Sequence, residues 1–459
     1  MPTPNLDLIK TIVVVMMENR SFDHMLGYLR RTKGWENVEG VKAEDSDWVQ
    51  RTTNTYNGKA YPPFHQTDPF HKMPADPPHE YTDIARQMGY PDERGVFPMN
   101  GFVQSYANAT AKPKINTPES AVVMGYFTGE SIPVTDFLAK NFAICDHWFS
   151  SLPAGTQANR LMSMAGYSRI AHNAFPLPSH TLVYDWLDAH GVNWRVYHEG
   201  LPFFAMMLDQ IPRILGPRFK PLADLWDDVR DESPSEFPKV IFIEPWYTDG
   251  PHHDVSRDDH APSSVIGGQQ FLDEVYRGIR ANPNWDGTVM IINYDEHGGF
   301  FDHVSPPAVR TDPPKDTVDN HGFTNLGVRV PALIVSPFLT PGTICDKRLD
   351  HTSVLKFLGQ KFGHGSGYSA NVDGREVASV YEVLNLDQPR SGSPPAAPPL
   401  GDYLKQTPPP AGYLPNTFPP SVLGEAFKRG LDEIRKRPDN AKFRDLLEAF
   451  PPEPPIRPT

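Results

Sequence analysis

Met290-Ile-Ile-Asn-Tyr-Asp-Glu-His-Gly-Gly-Phe-Phe-Asp-His-Val304 decides how the rest of the chain is read. The apolar run leading into it, Thr288 to Ile292, has the length and β-branched content of a buried strand. Where the run stops, Asp295, Glu296 and His297 follow, and then two glycines. Carboxylates at a strand end supply hard oxygen ligands for a metal ion, and glycines let the backbone bend back over the site. A plainer reading stands beside this one: an acidic strand end followed by a Gly-Gly turn.

A second stretch with the same layout tips the balance. Residues 9–17, Ile-Lys-Thr-Ile-Val-Val-Val-Met-Met, read as another buried strand and run straight into Glu18, Asn19, Arg20 and Ser21. In open α/β sheets ligands gather at the carboxyl ends of strands, where both clusters fall. Two acidic clusters at one sheet edge repel each other unless a cation sits between them. Two core strands ending in Glu18-Asn19 and Asp295-Glu296 could bring four oxygen-bearing side chains together there, which argues for a metal. Asn19 has a second reading, as a cap of the helix that follows.

The chain has 459 residues, enough for one elaborated α/β domain and a large core. A net charge of −13 without any basic block argues against nucleic acid as a partner. Cys145 and Cys345 could pair, but two cysteines are not a disulfide framework. No apolar run approaches the ~20 residues of a membrane span. The N-terminus lacks a basic region followed by an apolar one, so the chain as written reads as cytoplasmic; a trimmed exported form stays open. The 50 prolines, dense in 390–423 and after Phe450, predict long ordered loops around a compact sheet.

Taken in order, the first strand leads to a helix over Ser21–Leu29, and His79 opens a short helix through Gln87. A helix over 133–141 leads into the strand Phe142-Ala-Ile-Cys. Gln157 to Ala165 is helix-like, which puts Thr156 at or next to a helix N-terminus behind Pro153-Ala-Gly155. There it is either an ordinary N-cap or a nucleophile whose attacked phosphate is held by the helix N-terminus. Further strands are expected at 194–198, 239–244, 288–294 and 328–337, with helices at 184–190, 263–281 and from 351. The loop after Glu244 carries His252, His253 and His260. Alternating strands and helices imply a mostly parallel sheet covered on both faces. Residues 1–385 form the catalytic domain in this reading, and 386–459 a Pro-rich segment with a C-terminal helical cap.

These segments resemble the phosphoesterase family of non-specific phospholipases C and related acid phosphatases. The resemblance is carried by Glu18-Asn-Arg-Ser-Phe-Asp-His24, Asp76-Pro-Pro-His79, Gly155-Thr-Gln-Ala-Asn-Arg160, Asp259-His260-Ala-Pro262 and Tyr294-Asp-Glu-His-Gly-Gly-Phe-Phe-Asp-His303. It implies the three-layer α/β/α sandwich of the alkaline phosphatase superfamily. It makes Glu18, Asn19, Asp295 and Glu296 the metal ligands and Thr156 the nucleophile, and it puts His79 and His260 near the phosphate.

The expected chemistry is phosphate ester hydrolysis through a phospho-threonine intermediate. His260 or His79 is the general acid, and Asn159, His252, His253 and His297 are candidate phosphate contacts. Arg160 either joins them or makes a structural salt bridge. All-oxygen donors favour Ca²⁺, Mg²⁺ or Mn²⁺, with Zn²⁺ entering if a histidine joins the set. The leading substrate is a phospholipid diester at a membrane surface; the alternative is a soluble phosphomonoester. Leu201-Pro-Phe-Phe-Ala-Met-Met207 is either an exposed apolar rim for lipid or a buried segment. A catalytically dead binding module is disfavoured by the intact nucleophile and ligands, and a sulfatase by the lack of its Cys or Ser motif.

Overall fold

In the computed structural model the two apolar runs become neighbouring parallel strands in the middle of one sheet. The structure describes residues 3–69, 73, 75–109, 118–250, 256–317, 319–392, 394–398, 400 and 421–450. His252, His253 and residues 401–420 of the Pro-rich segment lie outside these residues.

The sheet has eight strands. They are β1 Thr11–Met17, β2 Ala143–Cys145, β3 Trp194–His198, β4 Phe219–Pro221, β5 Val240–Glu244, β6 Thr288–Tyr294, β7 Ala332–Val335 and β8 Thr343–Cys345. Their order is β8-β2-β7-β6-β1-β5-β3-β4. β7 alone runs against its neighbours β6 and β2, and the remaining pairings are parallel. β1 and β6 are buried at every position, which is why they read as continuous apolar runs with no alternation. Cys145 and Cys345 stand side by side in the β2–β8 register as free thiols.

Six helices matter here: α1 Pro133–Asn141, α2 Thr156–Ala165, α3 Val183–Ala189, α4 Ile266–Arg280, α5 Thr352–Phe362 and α6 Val422–Arg435. α2 and α5 pack together, and Met164 and Leu355 line one cavity with Val14 and Phe242 of the sheet. α4 packs with α1, and Gln269 Oε1 accepts from the Val134 and Thr135 N–H groups at 2.9 and 3.1 Å, satisfying two donors of the α1 N-terminus. The result is a three-layer α/β/α sandwich.

One expectation changes, and one open alternative is decided. The helix after β1 is one short turn, Phe22–Met25, capped by Ser21, followed by a 3-10 turn over Gly27–Arg31. The break falls where Gly27 packs on Val41: a Cβ there would stand 2.8 Å from Val41 Cγ2. Leu201–Met207 is core and not an exposed rim, with Phe203, Ala205, Met206 and Met207 fully buried. α6 covers it: Phe427 lies 5.9 Å from Phe203 and stacks on Tyr247 at 5.3 Å. Among the described residues, no helix is long and apolar enough to cross a membrane.

Candidate active site

The β1–β6 register pairs Met17 with Tyr294, so both strands end level. Glu18 and Asn19 therefore emerge beside Asp295 and Glu296. Asp295 Oδ1 accepts from the Asn19 N–H at 2.9 Å and from the Glu296 N–H at 2.8 Å. Asn19 takes a φ of 57°, a left-handed turn that aims it into the site. The helix cap is Ser21, whose Oγ accepts from the His24 N–H, so the capping reading of Asn19 falls. The two glycines then do what the sequence requires of them. Gly298, with φ 62°, lies so close that a Cβ would stand 2.2 Å from the Asn19 carbonyl oxygen. A Cβ on Gly299 would stand 2.7 Å from Pro77 Cβ, next to the segment carrying His79.

Thr156 is the first residue of α2, and Gly155 is the N-cap. The Thr156 hydroxyl is thus not spent on capping. It donates toward Glu18 Oε2 and Asn19 Oδ1, each 3.4 Å away, from a fully buried position. Asn159 does not face the site. Its Oδ1 accepts from the Leu152 N–H at 2.9 Å, and its Nδ2 donates to the Ala154 carbonyl at 2.6 Å. Its amide clamps the turn that presents Thr156, which corrects the phosphate-binding expectation. Arg160, one helical turn on, forms the structural salt bridge: its Nε lies 2.8 Å and its Nη2 2.5 Å from Glu18 Oε1. The guanidinium also lies over the Phe203 and Tyr247 rings.

The two expected histidines converge on Asn19. His260 Nε2 lies 2.9 Å and His79 Nε2 3.4 Å from Asn19 Nδ2, with the rings edge to face at 5.5 Å. Asp76 Oδ2 stands 3.4 Å from His260 Nε2 and 3.8 Å from His79 Nδ1. Asp249 Oδ2 lies 3.2 Å from His260 Nδ1. Burial opposes charge on both rings but is outweighed. Asp76 and Glu296 raise His79 to about 9, and Asp76 and Asp249 hold His260 well above its ordinary value.

Sequence reasoning missed Asp76 and Asp249. Asp76, three residues before His79, offered a signal; Asp249 offered none. It also missed His351, whose Nε2 donates to the Asp295 carbonyl at 2.6 Å and whose burial pushes it down to about 4, keeping it neutral. His297 is brought to the site as a brace. Its Nε2 contacts Gln87 Oε1 at 2.7 Å, and its Nδ1 lies 3.3 Å from Glu296 Oε2.

The donor set fits a cation. Glu18, Asp295 and Glu296 are fully or almost fully buried, with Arg160 the one guanidinium paired to them among the described residues. Burial raises Glu18 and Asp295 above their ordinary range. Burial also opposes ionisation of Glu296, but His79 and His297 outweigh it and hold the carboxylate charged. Asp295 Oδ2 and Glu296 Oε1 have no hydrogen-bond partner among the described residues. Buried carboxylate oxygens are satisfied by a donor or a metal in a stable site. A second acid–histidine grouping, Asp23, Asp302 and His303, is organised differently. The Arg329 guanidinium lies 3.1 Å from Asp23 and 2.9 Å from Asp302, and His303, 2.6 Å from Asp23 and raised to about 9, adds the second positive charge, so that cluster is an ion-pair network.

Comparison with known proteins gives the following. The model of the phosphoesterase family matches residues 9–364. Non-specific phospholipase C3 of Arabidopsis thaliana is 32% identical over 426 residues, covering 85% of this chain and 76% of that protein. Phospholipase C B of Mycobacterium tuberculosis is 27% identical over 485 residues, covering 92% and 85%. A solved structure, a protein in the alkaline phosphatase superfamily from Vibrio parahaemolyticus, has a TM-score of 0.29 at 11% identity, covering 50% of this chain and 60% of that one.

Proposed function

We propose, from the premise that this chain belongs to the phosphoesterase family and is a phosphoric ester hydrolase, that it cleaves phospholipid diesters in the manner of a phospholipase C. The products are diacylglycerol and a phosphorylated head group. One observation carries the mechanism: the Thr156 hydroxyl faces Glu18 and Asn19 where β1 and β6 release their carboxylates.

In this reading Thr156 Oγ1 attacks phosphorus in line, and its proton passes to Glu18 Oε2, the acceptor it already faces. The bond to the diacylglycerol oxygen breaks, and a histidine supplies the proton that oxygen needs. The phospho-threonine is then hydrolysed: water bonds to phosphorus, loses a proton to the same histidine, and the proton on Glu18 returns to Thr156. The α2 dipole places its positive end at the reacting phosphoryl group. Arg160 keeps Glu18 oriented, and Asn159 keeps the Thr156 turn in place. Glu18, Asn19, Asp295 and Glu296 would hold a divalent cation. Bound there, it lowers the hydroxyl's pKa and neutralises phosphoryl charge. The oxygen donors suit Ca²⁺, Mg²⁺ or Mn²⁺.

The test uses Thr156→Ala and Thr156→Ser on an aryl phosphorylcholine and an aryl phosphate, with peptide mapping of acid-quenched enzyme. The expected result is loss of turnover in the alanine variant, partial retention in the serine variant, a phosphorylated Thr156 peptide, and preference for the diester. Undiminished turnover by Thr156→Ala ends the nucleophile assignment. Preference for the aryl phosphate moves the protein to the monoesterases.

A further inference from the structure

His79 and His260 present their Nε2 atoms to the same Asn19 amide, and their other nitrogens separate them. His79 Nδ1 donates to the Pro77 backbone carbonyl at 2.7 Å, a neutral acceptor, with the Asp76 carboxylate more distant at 3.8 Å. His260 Nδ1 stands 3.2 Å from Asp249 Oδ2. Asp249 is itself fixed: its other oxygen accepts a hydrogen bond from Ser421 Oγ, the N-cap of α6. The peptide next to His260 is fixed as well, since the His260 N–H donates to Asp258 Oδ1 at 3.0 Å. The ring is therefore tied at its backbone and at Nδ1, while Nε2, at the Asn19 amide, also lies 3.4 Å from Asp76 Oδ2.

We infer that Asp249 is a positioning residue for this reaction: it holds His260 by Nδ1, keeps Nε2 at the Asn19 amide whose Oδ1 faces the Thr156 hydroxyl, and so makes His260, not His79, the general acid. The inference rests on the phosphoesterase reading above and deepens it. A carboxylate on the far nitrogen fixes the tautomer and the ring orientation. In the first step the Nε2 proton goes to the departing alcohol oxygen as its bond to phosphorus breaks and the bond to Thr156 Oγ1 forms. In the second, water gives a proton back to Nε2 as its oxygen bonds to phosphorus and Thr156 leaves.

The experiment compares two phosphorylcholine diesters, one with p-nitrophenol and one with a primary alcohol as leaving group, on the metal-loaded enzyme. An aryloxide departs without a proton; an alkoxide does not. Asp249→Asn is expected to lower the alkyl-to-aryl ratio of kcat/KM, which reads the leaving-group step alone, about 10²-fold, the scale of general acid catalysis. Asp249→Glu is expected to recover part of the ratio, and His260→Gln to reproduce the loss. Ser421→Ala, which keeps Asp249 itself, should lower the ratio in the same direction by a smaller factor and serves if Asp249→Asn does not fold.

An alkyl-to-aryl ratio unchanged in these variants overturns the inference, as does a ratio that falls in His79→Gln and not in His260→Gln. Failure of the function reading is separate. Thr156→Ala active on both esters ends that reading, whereas an inactive Thr156→Ala beside a leaving-group-independent Asp249→Asn overturns this inference alone.

Discussion

Met17 and Tyr294 are the last residues paired across β1 and β6, so two central parallel strands end level with one another. Parallel strands release their chains at the same sheet edge, where α/β folds collect their ligands. The next residues of each strand meet there, and the Asn19 N–H bonds directly to Asp295. Sheet register thus brings the carboxylate cluster together.

Gly298→Ala tests how tightly that meeting is held. The added methyl would stand 2.2 Å from the Asn19 carbonyl oxygen, which is backbone and has no rotamer to yield. Gly34→Ala is the control, since its φ is also positive, at 90°, but nothing lies within 4 Å. The control is expected to lose about 1–2 kcal/mol, the ordinary penalty of a left-handed residue. Gly298→Ala is expected to lose more than the control in urea unfolding and to lose most of its kcat. Equal stability of the two variants would mean that the Asn19 turn is free to move.

Asn159→Ala separates a brace from a ligand. The amide makes hydrogen bonds to Leu152, Ala154 and Gly155 in a fully buried position. At about 1 kcal/mol for each bond lost, destabilisation of about 2–4 kcal/mol is expected. KM should stay close to wild type while kcat falls as Thr156 loosens. A raised KM with unchanged melting would restore Asn159 as a phosphate contact.

The His303 network makes stability depend on pH. Burial opposes its charge, but Asp23 outweighs it and raises the ring to about 9, with Glu39 adding a hydrogen bond. The folded value lies above the unfolded one, so the folded state binds the proton more tightly. The stabilisation is fully present below about pH 6.5 and is lost as pH rises through about 9. It amounts to at most about 3 kcal/mol, because the Glu39 share is screened by solvent. Thermal melts of wild type should fall across that window more steeply than those of His303→Gln. Parallel profiles would show that the ring is neutral in the folded state.

How far the sequence could be read follows from where each residue lies. Glu18, Asn19, Asp295 and Glu296 were legible because uninterrupted apolar runs mark central strands, and polarity changes abruptly where such strands end. Thr156 was legible to within one position; Gly155 taking the cap role is what frees its hydroxyl. Asp249 was not legible, because it lies in the loop after β5 and is brought to His260 by a tertiary contact that local spacing cannot encode. Leu201–Met207 stayed ambiguous for a similar reason: an apolar segment is rim or core according to what covers it, and α6, more than 200 residues on, does. Asn159 and Arg160 carry phosphate-binding groups, but Leu152, Ala154 and Glu18 engage them first.

Removing the metal and removing a ligand should have opposite effects on stability. Without a cation, Asp295 is a buried carboxylate with one oxygen unpartnered among the described residues, raised by burial above its usual range. Asp295→Asn keeps an Oδ1 to accept from the Asn19 and Glu296 N–H groups and deletes the charge. The metal-free variant is therefore expected to melt at or above metal-free wild type. With metal the order reverses. A ligand binding only the folded state at a hundred times its Kd adds about 2.7 kcal/mol, so wild type should gain stability that Asp295→Asn does not, and a chelator should return it to its metal-free baseline. Glu296→Gln should lose the metal response too, with less gain in the metal-free state, because His79 and His297 already offset the Glu296 charge. Melting curves with and without Ca²⁺, Mg²⁺ and Mn²⁺ read all three. If both variants respond to metal as wild type does, these carboxylates do not hold it.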